Sequence, residues 1–272
     1  MTNRAIYNKK YYQNMRGGED FSSNMVSTFY DSLLSHSKVN VKGLTVLDVG
    51  CGRGELIRLL VEKGAARVYG VDFSEDSMAI SRGLLERCKI DQSSYRLANL
   101  DITKYDEELK EKFDLVFMLD VVEHLCPVDL EKALKNCFFY LNEGGKIFFH
   151  TFPTRLPHKI FLALYSILKP SLKRETECIH VNVQNRSSII SVFEDCGFKV
   201  DSLRLENDLL LASSFYQRLN NGLLKKALQN IFNDVPSFAL VRKLSRIVGL
   251  EEMFYMSIYG IAKKDFQNAK GK

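Results

Sequence analysis

Val46-Leu47-Asp48-Val49-Gly50-Cys51-Gly52-Arg53-Gly54 is the stretch that decides the fold. A buried-strand pattern, Leu44–Val49, runs straight into three closely spaced glycines, and a helical pattern over Glu55–Lys63 follows at once. Glycine removes Cβ where a ligand must lie against backbone. A new helix start directs its unpaired N–H groups into the same space. Asp72 ends the next apolar run, 18 residues past Gly54, where a carboxylate can accept both hydroxyls of a ribose.

The loop also discriminates between ligands. A phosphate-binding P-loop needs a Lys-Ser/Thr pair after its glycines, and none is present. The dinucleotide fingerprint is GxGxxG, whereas this loop is GxGxG with Asp48 two residues before the first glycine. A carboxylate there would repel a pyrophosphate and attract a cationic amino-acid group. Charge therefore favours a cofactor carrying an amine and a sulfonium.

Outward from this loop, strand and helix patterns alternate. Arg67–Val71 reads as a strand, Ser74 or Glu75 to Arg87 as a helix, Tyr95–Ala98 as a weaker strand and Phe113–Leu119 as a strong one. Val128–Leu141 is helical, and Gly145–Phe149 starts a strand after an Asn142-Glu143-Gly144-Gly145 turn. Such alternation with short connections implies a parallel sheet covered by helices on both faces. Phe21–Leu34 reads as an amphipathic helix, and Pro153–Arg174 as a short helix apolar on all sides. Arg186–Cys196 reads as a helix, Phe198–Leu205 as a strand, Asn207–Leu250 as mostly helical and Met253–Ala262 as a final strand.

Composition agrees with an ordinary globular chain: 272 residues, 46% hydrophobic and 26% charged. The net charge of +5 comes without a dense Lys/Arg stripe interleaved with aromatics, so nucleic acid is not an expected partner. The six cysteines show no CxxC or other zinc spacing, and the N-terminus has no apolar signal region. Reduced thiols in a cytoplasmic protein are the expectation. The longest apolar run, Ile160 to Tyr165, is too short to cross a bilayer.

Asp48-x-Gly50-x-Gly52-x-Gly54, then Gly70-Val71-Asp72-Phe73-Ser74, resembles the first two motifs of class I S-adenosylmethionine-dependent methyltransferases. Phe113-Asp114-Leu115-Val116-Phe117-Met118-Leu119-Asp120-Val121-Val122-Glu123-His124-Leu125 is similar to the family's fourth strand and the segment after it. Leu141-Asn142-Glu143-Gly144-Gly145 resembles its turn into strand five. The resemblance implies an α/β, Rossmann-like, doubly wound sheet of seven strands in the order 3-2-1-4-5-7-6, the last antiparallel. It implies one domain over residues 1–272: a helical lead-in (1–40), a cofactor-binding core (41–152), and helical covers of the acceptor site (153–185 and 206–251).

The same resemblance implies S-adenosyl-L-methionine as cofactor and S-adenosyl-L-homocysteine as product. Gly50, Cys51 and Gly52 would line the methionine part, Asp72 would hold the ribose, and Phe73 would lie against the adenine. Asn99, Leu100 or Asp101 would meet the adenine edge, and Leu119 would offer backbone near the sulfonium. Asp48 has two readings, direct cofactor contact or a carboxylate that only stabilises the loop. Tyr7, Tyr11, Tyr12 and Arg16 resemble a tyrosine-rich lead-in that closes over the cofactor.

On the acceptor side, Asp120, Glu123 and His124 sit at i, i+3 and i+4, so one helical face could present all three. A similar acidic-x-x-Glu-His segment is associated with a divalent metal in ubiquinone-pathway O-methyltransferases. With no further ligand identifiable, the expectation is no metal and His124 as the candidate base. His150, at the end of strand five, and His180 are weaker candidates for that role, whereas His36 and His158 offer no argument. The expected reaction moves a methyl group to an oxygen or nitrogen of a small, partly hydrophobic molecule. A non-catalytic S-adenosylmethionine-binding protein and a lipid or quinone O-methyltransferase at a membrane surface remain as alternatives. Basic residues around Pro153–Arg174 admit shallow membrane docking. The sequence fixes neither the acceptor nor an oligomeric state.

Overall fold

A computed structural model describes residues 4–13, 30–31, 33–35, 39–110, 112–206, 222–223, 226, 243–247, 251–253 and 255–265. Seven strands form a single sheet: β1 (Thr45–Val49), β2 (Arg67–Asp72), β3 (Tyr95–Asn99), β4 (Phe113–Leu119), β5 (Leu141–Thr151), β6 (Phe198–Glu206) and β7 (Ser257–Lys264). Their order is β3-β2-β1-β4-β5-β7-β6. All neighbours are parallel except β7, which runs antiparallel to both β5 and β6. Fold class and strand order are those expected.

Helices α1 (Lys9–Gln13), α2 (Glu55–Glu62), α3 (Glu75–Arg87), α4 (Pro127–Tyr140), α5 (Arg155–Leu168), α6 (Pro170–Ile179) and α7 (Arg186–Asp195) accompany the sheet. The central strands β1 and β4 are largely apolar and buried because both faces are covered, whereas β3 and β6 at the two edges carry exposed polar residues. Val46, Leu115, Phe117 and Phe148 pack on one side with Leu56, Ile57 and Leu60 of α2. Leu47, Val116, Met118 and Phe149 pack on the other with Leu130 and Leu134 of α4 and Phe193 of α7. At Gly70 the α2 side chain Ile57 packs directly on β2: a Cβ there would lie 2.3 Å from Ile57 Cδ1.

Three boundaries differ from the sequence reading. β5 begins at Leu141, directly after α4, and the Asn142–Gly145 turn is a register irregularity inside the strand, with Leu141 opposite Phe113 and Lys146 opposite Leu115. The Pro153–Arg174 helix is two helices, because Lys169 leaves helical geometry (φ −157°) and Pro170 starts α6 at a position where its missing N–H costs nothing. The final strand starts at Ser257, after a short 3₁₀ turn over Glu251–Met253. Most of the expected Phe21–Leu34 and Asn207–Leu250 helices, and Arg16, lie outside the described residues.

The carboxyl ends of β1, β2 and β4 meet at one edge. The strand order runs outward in opposite directions from β1 and β4, so a crevice opens between them where ligands settle in open α/β sheets.

Candidate functional site

The loop after β1 is held in a shape that side chains would forbid. Gly50, Gly52 and Gly54 have φ of +70°, +53° and +86°. A Cβ on Gly50 would also come within 2.6 Å of Val121 Cγ2, so this position needs glycine on two counts. The N–H groups of Gly50 and Cys51 both donate to Val71 O, at 2.8 and 3.1 Å, which ties the loop to β2. Gly52 O accepts from the Ser77 and Ser81 hydroxyls of α3 at 2.5 and 2.7 Å.

Asp72 is buried and accepts from Gly52 N (3.1 Å) and Ser74 N (2.9 Å), one on each carboxylate oxygen. Burial raises its pKa, while the N–H bonds pull the other way. Asp48, the fourth residue of β1, is 3% exposed, and its Oδ2 has no hydrogen-bond partner among the described residues. Burial first, then the charges of Asp72 and Glu55, push it up to about 8. Its neighbour Cys51 is buried, and burial likewise holds its thiol protonated. Arg53 and Glu55 form a buried ion pair at 2.6 Å, and Arg53 also donates to Tyr12 O at 3.4 Å.

A cavity opens at these strand ends. Gly50, Cys51, Gly52, Asp72 and Phe73 line one part of it, and Leu100, Asp101, Leu119, Asp120 and His124 another. Tyr7, Tyr11 and Tyr12 line it from the N-terminal segment. Besides the Arg53 bond to Tyr12 O, that segment is tethered by Arg4 to Asp101 (2.7 Å), the Ser74 hydroxyl to Tyr7 O (2.8 Å) and Lys9 N to Asp76 (2.8 Å). The Tyr7 ring stands edge-on between Phe73 and His124, at 5.5 and 5.7 Å.

Asn99 lies outside the cavity wall, exposed, with its amide donating to Asp72 O at 3.1 Å. Leu100 and Asp101 are the residues after β3 that reach the wall. Asp101 is held below the usual carboxylate range: some burial opposes this, and hydrogen bonds from Arg4 and Thr103 outweigh it.

Asp120, Glu123 and His124 are brought to the same loop but turned apart, because the loop is not an α-helix. Asp120 takes φ +54°, and Val122–His124 is a single 3₁₀ turn. Asp120 pairs with His150 Nδ1 at 2.6 Å, and His150 is fully buried against the Tyr259 ring. Glu123 is buried, accepts from the Thr151 hydroxyl at 2.9 Å, and is pushed up to about 8 by burial and by Asp120. His124 Nδ1 lies 3.0 Å from Ile179 O, so Nδ1 carries the proton and Nε2 has the lone pair. Burial lowers the His124 pKa, which keeps the ring neutral at pH 7. Among the described residues no group of three or more His, Cys, Asp or Glu side chains could hold a metal ion.

His180 is outside the cavity wall, with its ring 5.4 Å from that of His124. The sequence reading gave no part to His158, whose ring is 5.8 Å from His180, nor to Ser77 and Ser81. The serines had a legible signal: two hydroxyls at i, i+4 on the face of α3 that buries Met78 and Leu85.

A methyltransferase-domain family model matches residues 24–203, more than half of the chain. The ubiquinone biosynthesis O-methyltransferase of Coxiella burnetii (strain RSA 493 / Nine Mile phase I) is 33% identical over 114 residues, 42% of this chain and 46% of that protein. Its counterpart in Pseudomonas fluorescens (strain SBW25) is 35% identical over 115 residues, 42% of this chain and 47% of that protein. The chain thus spans about half the length of the curated relatives it matches. Among solved structures, the Haemonchus contortus phosphoethanolamine N-methyltransferase 2 in complex with S-adenosyl-L-methionine superposes with a TM-score of 0.63 at 18% identity, covering 96% of this chain and 58% of that one. The magnesium protoporphyrin IX methyltransferase of Synechocystis PCC 6803, with bound SAH, gives 0.53 at 16% identity, covering 90% and 84%. The structural likenesses speak for the fold, and the domain match carries the assignment: this chain belongs to the methyltransferase-domain family.

Proposed function

We propose that the protein is an S-adenosylmethionine-dependent methyltransferase acting on an oxygen or nitrogen of a small, partly hydrophobic acceptor. The observation that carries this reading is the buried, unpartnered Oδ2 of Asp48 beside a loop of left-handed glycines. An orphaned buried carboxyl oxygen is costly, and although Asp48 lies behind the cavity wall formed by Val49–Gly52, an ammonium group acting there directly or through water would supply its missing partner.

The remaining residues fit the same ligand. Each carboxylate oxygen of Asp72 accepts one backbone N–H and keeps further acceptor capacity, enough for two ribose hydroxyls. Phe73 offers its ring to the adenine, with Leu100 and Asp101 at the base edge. Gly50, Cys51 and Gly52 give the methionine moiety bare backbone, and Leu119 ends β4 on the same wall. The cofactor supplies a methyl group already activated on a sulfonium. The protein's share is to hold donor and acceptor in line and keep water out, a contribution dominated by proximity and orientation. His124 lines the cavity, and its Nε2, 4.0 Å from Glu123 Oε1, is the atom we assign to take the acceptor's proton.

A second reading, action at a membrane surface, has one observation in its favour. Leu156, Ile160 and Ile167 fall at helical spacing on the outer face of α5 and are 38%, 41% and 81% exposed. Arg155, Lys159 and Lys169 are exposed alongside, and α5 carries no acidic residue. An apolar stripe edged by bases suits an anionic lipid surface. No helix among the described residues is long and apolar enough to cross a membrane. None of the six cysteines forms a disulfide, which supports a reducing, cytoplasmic setting.

Calorimetry with S-adenosylhomocysteine and NAD tests the cofactor. Binding of the first and not the second is expected, and the reverse ends the proposal. Methyl transfer from labelled cofactor to fractions of a cell extract then separates an enzyme from a non-catalytic binder.

A further inference from the structure

The glycines that shape the loop after β1 would also let it take other shapes, so contacts from outside the loop must select this one. At Gly52, with φ +53°, both backbone groups are held from elsewhere. Its N–H donates to Asp72 Oδ2 at 3.1 Å. Its carbonyl accepts from the Ser77 hydroxyl at 2.5 Å and from the Ser81 hydroxyl at 2.7 Å. Two donors on one carbonyl oxygen use both of its lone pairs. Gly52 and Asp72 line the cavity, and neither serine is part of its wall.

Both serines are fully buried within α3, four residues apart and so on one helical face. Alanine at either position would favour the helix more and bury no polar atom. A serine inside a helix can satisfy its hydroxyl on the carbonyl one turn back. These two instead reach out of α3 to the same foreign oxygen. Ser81 also abuts the third glycine, since a Cβ on Gly54 would come within 3.2 Å of Ser81 Cβ and Oγ. The Ser77 hydroxyl is near enough to the Asp72 carboxylate to favour its charged form. The face of α3 that bears the serines therefore sets both the loop and the acid that the loop holds.

We propose that Ser77 and Ser81 are positioning residues for the cofactor: together they hold Gly52 so that its N–H fixes the Asp72 carboxylate for the ribose hydroxyls. Because both hydroxyls serve one oxygen, either alone keeps that carbonyl satisfied, and the loss of both releases it. The two residues should therefore act as a unit, with a joint loss larger than the product of the separate ones. The inference rests on the methyltransferase reading and on Asp72 holding the ribose.

The test compares S-adenosylhomocysteine with its 2′-deoxyribose analogue by calorimetry on wild type, Ser77→Ala, Ser81→Ala and the double variant. The ratio of the two affinities reports the ribose contact alone, because partial unfolding weakens both ligands by the same factor. Wild type should prefer S-adenosylhomocysteine by at least about tenfold, the scale of a hydrogen bond to a charged group. Each single variant should keep a preference within about twofold of that value, and the double variant should fall to a preference of about twofold. A double variant that keeps the wild-type ratio, whatever its Tm, would overturn the proposal and leave the serines as packing groups. A single variant that loses as much as the double would overturn the shared role. Equal affinity of wild type for the two ligands would show the ribose to be held elsewhere and remove this inference alone. Failure of S-adenosylhomocysteine to bind wild type would remove the methyltransferase reading and this inference together.

Discussion

Affinity for S-adenosylmethionine should rise with pH between 6 and 8, because Asp48 must lose a proton to receive the ligand's ammonium group. Burial and the neighbouring charges of Asp72 and Glu55 push Asp48 up to about 8 in the unliganded protein. At pH 7 the group is mostly protonated, and each further unit of acidity makes its ionisation harder. The Kd should therefore fall roughly tenfold per pH unit until about pH 8, then turn over as the free ligand's own α-amino group deprotonates. Asp72 is pushed in the same direction, but its bonds from Gly52 N and Ser74 N favour the charged form, so Asp48 dominates the slope.

The unliganded protein should respond with the opposite sign. A carboxyl whose pKa is raised on folding contributes stability below its unfolded value near 4, and that contribution is lost as pH rises through about 8. Tm without ligand should fall from pH 6 to 8.5 while affinity climbs from pH 6 to 8. Calorimetry at pH 7 in phosphate and in Tris, whose ionisation enthalpies differ, should report close to one proton released per ligand bound. Asp48→Asn should flatten both profiles. A Kd that is constant from pH 6 to 8, or a slope that survives Asp48→Asn, refutes the reasoning.

Asp72→Ala should weaken S-adenosylhomocysteine binding at least tenfold, since charged hydrogen bonds are worth about 1.5–3 kcal/mol each; circular dichroism should show the fold retained. His124→Ala should slow turnover by ~10²–10⁴-fold and leave cofactor affinity nearly intact, measured by single-turnover kinetics and calorimetry. Activity should survive EDTA, because Asp120, Glu123 and His124 point to His150, Thr151 and Ile179 respectively; loss in EDTA restored by magnesium and abolished by Glu123→Ala would favour a metal-assisted mechanism. Ile160→Asp with Ile167→Asp should reduce co-flotation with phosphatidylglycerol vesicles severalfold without lowering cofactor affinity.

The glycine loop and Asp72, which the proposed function assigns to the cofactor, were legible as structural features in the sequence because their signals are local. Three glycines between a strand and a helix, and a carboxylate one strand on, depend on spacing within about thirty residues. The acceptor half depends on chain returns that spacing does not encode. His180 meets the His124 ring because residues 180–184 return to the loop after β4, with Asn182 N bonded to Glu123 O and Gln184 O receiving Arg155 N. Asn99 was legible as a position at the end of β3 but not as a direction. Its amide turns back to Asp72 O, and the wall is left to Leu100 and Asp101.

The Asp120–Glu123–His124 loop shows most plainly why local spacing fails. The i, i+3, i+4 pattern reads as one helical face only if the segment is helical, and Asp120 instead adopts a left-handed conformation that aspartate tolerates better than most residues. The partner that exploits this turn comes from β5, where Leu119 stands opposite His150. Sheet register therefore decides which group meets the Asp120 carboxylate. A slip of one residue along β5 would put Phe149 or Thr151 opposite Leu119 and, since side chains alternate between faces, turn His150 away from the loop. The irregularity near Asn142–Gly145 sets that register, by letting the strand pair Leu141 with Phe113 and still bring Lys146 opposite Leu115. A stretch that reads as a simple turn thus fixes, at the other end of the strand, the histidine that holds Asp120.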